Sequence, residues 1–138
     1  MITKGVAKYV YLDSTEKFNG EDTGKYTLTV AVNDAEAKKL EGAGVKVRTF
    51  TDKDTGKEYR GRKFSTQYKL GDEMIQTESG ESIGTDFGAG SDVQVLWKAG
   101  NEHPTHGVAT YLTAIKVADE HVPGYKGANE EISEFLTA

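Results

Sequence analysis

The sequence predicts an all-β fold: a small antiparallel barrel with one short helix and an acidic C-terminal tail. Three observations predict it. Most periodic stretches alternate apolar and polar residues, the period of a half-buried strand. Gly- and Asn-containing turns break those stretches at short intervals. A helical pattern with start and stop signals occurs once.

Gly5 to Leu12 sets Val6, Lys8, Val10 and Leu12 against Ala7, Tyr9 and Tyr11, as a strand does. Asp13 to Gly24 is polar, contains Asn19-Gly20 and Thr23-Gly24, and reads as a loop. Lys25 to Val32 places Tyr26, Leu28, Val30 and Val32 on one face and Thr27 and Thr29 on the other. Asn33, with Glu36 three residues on, caps a helix of about two turns that ends at Gly42 and Gly44. Val45 and Val47 then alternate with Lys46, Arg48 and Phe50, and the chain turns at Asp54-Thr55-Gly56. The return strand runs from Lys57 towards Tyr68, with Arg60, Arg62, Phe64, Thr66 and Tyr68 on one parity. A second hairpin is expected around Glu78-Ser79-Gly80, between Met74-Ile75 and Ile83. After a glycine-rich link come Val93 to Trp97 and Gly107 to Val117, joined by a polar connection through His103-Pro104. Trp97 shares parity with Val93 and Val95, which predicts core packing.

About six or seven strands with one helix in the middle of the chain fit a Greek-key barrel of the OB type, whose outer face holds oligonucleotides. The immunoglobulin sandwich lacks its Cys and Trp marks here. A chain of 138 residues makes one such domain, read as 1–122, followed by the tail, 123–138. With no cysteine there is neither a disulfide framework nor a thiolate site. No apolar run approaches the roughly 20 residues of a membrane span, and the N-terminus lacks an apolar leader. A soluble, cytoplasmic protein with no membrane partner is expected.

The 22 acidic and 17 basic residues give a net charge of −5, which at first disfavours a polyanion ligand. The signs are segregated, however. Gly44 to Leu70 holds eight basic and three acidic residues, including all three arginines. Gly71 to Asp92 holds six acidic and no basic residues, and five acids against one lysine follow Val117. In the basic stretch Lys46, Arg48 and Phe50 share one strand parity, and Arg60, Arg62 and Phe64 share one on the return strand. If Val45 and Val47 face the core, two adjacent strands show cations interleaved with rings. Unpaired nucleic acid needs this combination, cations for phosphates and flat rings for exposed bases. The expected stacking residues are Phe50, Phe64 and Tyr59, with Tyr9 and Tyr111 as further candidates. Phosphate contacts are expected from Lys46, Arg48, Lys57, Arg60, Arg62 and Lys63, with Lys8 in addition.

Catalytic and metal patterns do not develop. His103 and His106 lack a third ligand in the sequence around them. Asp52 to Gly56 departs from a calcium loop, with Lys53 and Lys57 inside it and no closing glutamate. Gly84 to Gly90 has no following Lys-Ser/Thr and is not a phosphate loop. The carboxylates of Asp72 to Asp92 read as a solvated hairpin rather than a magnesium site. The expectation is a binding protein without cofactor, metal or enzymatic activity.

Gly5-Val6-Ala7-Lys8-Tyr9-Val10-Tyr11-Leu12 followed by Gly24-Lys25-Tyr26-Thr27-Leu28-Thr29-Val30 resembles the first strand pair of the single-stranded DNA-binding proteins of short-tailed bacteriophages. Gly88-Ala89-Gly90-Ser91-Asp92-Val93-Gln94-Val95 and Gly107 to Val117 are similar to that family's last pair. In order, these segments cover most of residues 5–120. The resemblance implies an OB-fold that coats unpaired DNA in phage replication, recombination and strand annealing. It also implies an acidic tail, here Glu130, Glu131, Glu134 and Phe135, that docks replication proteins such as polymerase and helicase-primase, and a homodimer. This tail departs from the family's in continuing past the aromatic to Leu136-Thr137-Ala138. The competing readings are a virion structural β-protein and an RNA-binding OB module.

Overall fold

The computed structural model describes residues 1–52 and 55–123. The tail residues Glu130, Glu131, Glu134 and Phe135 therefore lie outside the described residues.

The alternation from Ile2 onward produces a long strand, β1 (Ile2–Tyr11). The polar loop after it folds into a small hairpin, β2 (Lys17–Phe18) and β3 (Glu21–Asp22). β4 (Tyr26–Ala31) returns antiparallel to β1, pairing Val10 with Leu28 and Tyr11 with Thr27. The pairing skips a residue between Ala7 and Tyr9, a β-bulge at Lys8. Helix α1 (Asp34–Gly42) starts where the cap signal placed it, the Asn33 side chain accepting from the Glu36 N–H at 2.9 Å.

β5 (Arg48–Thr51) and β6 (Glu58–Thr66) form the expected hairpin, but β5 is shorter than the sequence pattern suggests. Val45 instead makes an isolated bridge with Gly107, which buries it and takes Lys46 off the strand. A 3-10 turn (Asp72–Met74) leads to β7 (Ile75–Thr77), whose hairpin partner is reduced to a bridge between Gln76 and Ser82. β8 (Asp92–His103) and β9 (Gly107–Val117) form the longest hairpin.

The seven strands are ordered β5-β6-β4-β1-β8-β9-β7, and a parallel contact between Ser65 of β6 and Tyr111 of β9 closes the sheet into an OB-like barrel. Its interior holds Ala7, Leu28, Val30, Phe64, Val93, Val95, Trp97, Leu112 and Ile115, all essentially buried. Trp97 lies in this core, as its parity predicts, and its indole N–H donates to the Thr3 hydroxyl at 2.8 Å. Each large buried side chain contributes about 1.5–3 kcal/mol. Among the described residues no helix is long and apolar enough to cross a membrane.

Candidate nucleic-acid interface

Side chains on a strand point alternately to its two faces, so pairing register decides which functional residues meet. Phe50 lies opposite Tyr59, Arg48 opposite Gly61, and Lys63 opposite Thr29. Arg48, Phe50, Tyr59, Gly61 and Lys63 therefore share the outer face of the barrel, on β5 and β6. Phe50 and Tyr59 stack with ring centroids 5.4 Å apart and planes 17° from parallel. Both residues are half-buried. The bulge in β1 turns Lys8 onto the same face, and its ammonium stands 5.0 Å from the Tyr59 ring centre.

Gly61 is the flat spot beneath this pair. A methyl group there would sit 2.7 Å from the Val30 carbonyl oxygen and 3.3 Å from two carbons of the Phe50 ring. A side chain here would meet the β4 backbone first and would also push on the Phe50 ring that lies across β6. The tyrosine hydroxyl is covered and no hydrogen bond of good geometry reaches it. Burial, reinforced by nearby Tyr9 and Asp52, pushes the Tyr59 pKa up to about 12, so the ring stays neutral at any physiological pH.

Other sequence-based site residues fall elsewhere. Phe64 is a correction: it is fully buried, opposite Leu28 and 6.0 Å from the Trp97 ring, and does not reach the surface. Its parity is that of the core, and strand aromatics gain most by packing inward. Arg60 and Arg62 share that parity and so leave the face that carries Phe50, contrary to the expectation of one common surface. Arg60 extends towards the helix and pairs with Glu41 at 2.7 Å and Asp34 at 4.0 Å. Arg62 is half-buried and donates to Thr110 Oγ1 at 3.1 Å and to the carbonyls of Lys46 at 3.1 Å and Val108 at 3.4 Å. That burial, with Arg48 close by, lowers its pKa, and its work is to tie β6 to β9.

Lys46 is exposed and its ammonium donates to the Thr105 carbonyl in the β8–β9 turn. Lys57 is exposed just before β6. Tyr9 is half-buried beside Tyr59, and Tyr111 is 51% exposed, lying flat across Gly100 at the seam between β6 and β9.

Three participants escaped the sequence reading. Gly61 carried a signal, a glycine inside a strand, which marks close approach. Glu16 and Asp52 carried none: Glu16 lies 2.7 Å from Lys63 and Asp52 lies 3.5 Å from Lys8. Asp52 counts as an acid within the basic stretch, but its pairing with Lys8, like that of Glu16 with Lys63, comes from tertiary folding and does not show in local charge counting.

No protein-family model and no curated protein sequence matches the chain. Solved structures do. A C-terminally truncated single-stranded DNA-binding protein from bacteriophage Enc34 superposes with TM-score 0.53 at 12% identity, over 88% of this chain and 85% of that one. The Enc34 protein in complex with single-stranded DNA gives 0.51 at 11%, over 86% and 84%. The chain has the Enc34 fold. A bacteriophage T7 single-stranded DNA-binding protein, gp2.5, matches at 0.43 and 14%, over 86% and 90%. In the Enc34-like barrel of this chain, the outward face of β5, β6, β4 and β1 presents the stacked rings and their cations.

Proposed function

We propose that the chain binds single-stranded DNA, without sequence preference and without chemistry, on the outer face formed by β5, β6, β4 and β1. One observation carries this: the half-buried, stacked Phe50–Tyr59 pair lies on a sheet face, with Lys8 over the Tyr59 ring, Arg48 next on the same face of β5 and Lys63 further along the same face of β6. Flat rings accept any base, and cations at strand spacing accept the phosphates between them. The fold neighbour solved with single-stranded DNA supports the reading. Tyr111 continues the track beyond Ser65 across the barrel seam.

The protein then protects and organises unpaired DNA during phage replication, recombination and strand annealing, as a cytoplasmic protein of the infected host. Residues 1–122 do the binding. The acidic segment 123–138 competes with DNA for the basic face and offers replication proteins a docking point, with homodimerisation as a further consequence of the family resemblance.

The test is a fluorescence titration of labelled oligo-dT at two salt concentrations, repeated with oligo-rU and duplex. Tight binding to oligo-dT at low salt, weakened at high salt and poor for duplex, is expected. A flat curve at low salt would remove the proposal. Preference for the ribose would move it to RNA.

A further inference from the structure

The basic face contains a site where two hydrogen-bond donors converge on one anion, and that anion belongs to the chain itself. Thr27 is on the outward side of β4 yet only 2% exposed. Its hydroxyl donates to Oε2 of Glu16 at 2.8 Å, and the Lys63 ammonium donates to Oε1 of the same carboxylate at 2.7 Å. The Glu16 side chain is 13% exposed, well covered for a carboxylate. Its main chain is pinned as well: the Glu16 N–H donates to the Lys25 carbonyl at 2.9 Å, and the Thr23 N–H and hydroxyl donate to the Glu16 carbonyl at 2.9 and 2.6 Å. The loop between β1 and β4 is thus clipped onto the proposed DNA face by a side chain that mimics the ligand.

A buried hydroxyl is costly to leave without an acceptor, and the exposed Lys63 ammonium beside it adds a charge aimed at the same point. A carboxylate satisfies them with two oxygens held close together, and a phosphodiester presents two non-bridging oxygens in a similar way. We propose that Lys63 and Thr27 form a phosphodiester subsite that Glu16 occupies in the nucleic-acid-free protein and yields to a backbone phosphate. This rests on the reading that single-stranded DNA crosses this face. The exchange leaves Lys63 adding nothing to the net charge of the clip in the free protein. The salt slope of binding therefore understates the cations on the face by one.

The experiment titrates labelled oligo-dT with the full chain across a salt series, using wild type, Glu16→Gln, Lys63→Gln and the double variant. Glu21→Gln serves as the control: Glu21 is an exposed acid of the same loop, so it changes net charge equally away from the subsite. Glu16→Gln keeps an oxygen for Thr27, and circular dichroism checks that its fold is retained. Glu16→Gln is expected to bind more tightly than Glu21→Gln, with a log–log salt slope steeper by about 0.7. Its advantage then shrinks roughly 2.6-fold between about 50 and about 200 mM salt. In the Lys63→Gln background the advantage disappears. Wild-type binding with Glu16→Gln indistinguishable from Glu21→Gln, or a gain that survives Lys63→Gln, overturns the subsite alone. No binding of oligo-dT by wild type or Glu16→Gln overturns the DNA reading and the subsite with it.

Discussion

Two phenylalanines of the basic hairpin, Phe50 and Phe64, offer a sharp test because they sit on opposite faces of one sheet. Phe64 has no exposed surface and packs against Leu28 and Trp97. Truncating such a residue to alanine costs about 3–5 kcal/mol, a large part of the about 5–15 kcal/mol that holds a domain folded. Phe64→Leu keeps most of the volume and should cost no more than about 1.5 kcal/mol, so the variant folds. Phe50 is half-buried and its ring pair with Tyr59 is worth about 0.5–1.5 kcal/mol, so Phe50→Ala should cost about 1–3 kcal/mol in stability. Binding separates the two variants. Loss of one base-stacking ring removes about 1–3 kcal/mol, or about five- to 150-fold in Kd. Urea unfolding followed by Trp97 fluorescence reads the first quantity, and oligo-dT titration of the folded variants reads the second. Phe50→Ala is expected to be stable and weak-binding, Phe64→Leu to bind like wild type. Unchanged affinity in Phe50→Ala, or equal affinity losses in the two variants, would refute the division of faces.

Gly61→Ala should lift Phe50 from β6 and weaken oligo-dT binding several-fold, with little further loss when Phe50→Ala is added; additive losses would separate the two residues. Arg62→Ala should lower the urea midpoint, by about 1–3 kcal/mol for a half-buried group that leaves Thr110 and two carbonyls unpaired, more than it changes the salt slope of binding. The raised Tyr59 pKa has a signed consequence for stability. The unfolded tyrosine ionises at 10.0 and the folded one at about 12, so stability falls as pH rises between those values. Tyr59→Phe should show a shallower alkaline decline in urea midpoint, and equal declines would contradict the burial argument. Deleting residues from Gly127 onward should tighten DNA binding at low salt; unchanged or weaker affinity would remove the tail's competing role.

The long strands, the helix and its Asn33 cap were legible in the sequence, because each rests on local periodicity or a local hydrogen bond, whereas the small β2–β3 hairpin lay in a stretch that reads as a loop. The closure of the barrel through Ser65 and Tyr111 rests on contacts between distant segments and left no periodic trace. In the site, the alternation that found the basic hairpin also misassigned part of it. Arg60, Arg62 and Phe64 do share a parity, but whether it points inward depends on the neighbour, and β4 supplies Leu28 and Val30 on that side. Tyr59 and Lys63, between them in sequence, take the outer face with Phe50. The bulge at Lys8 and the acids Glu16 and Asp52 are consequences of tertiary pairing, and composition alone could not place them.

The central claim is that unpaired DNA lies across the stacked rings of β5 and β6. Backbone amide NMR of the protein titrated with oligo-dT tests it residue by residue. The largest shifts are expected on Lys8, Arg48, Phe50, Tyr59, Gly61 and Lys63. Leu96 of β8, which pairs with Ile2 at the far end of β1 and with Ala114 of β9, should stay still together with those two residues. Shifts centred on Ile2, Leu96 and Ala114, or none at saturating oligonucleotide, would contradict it.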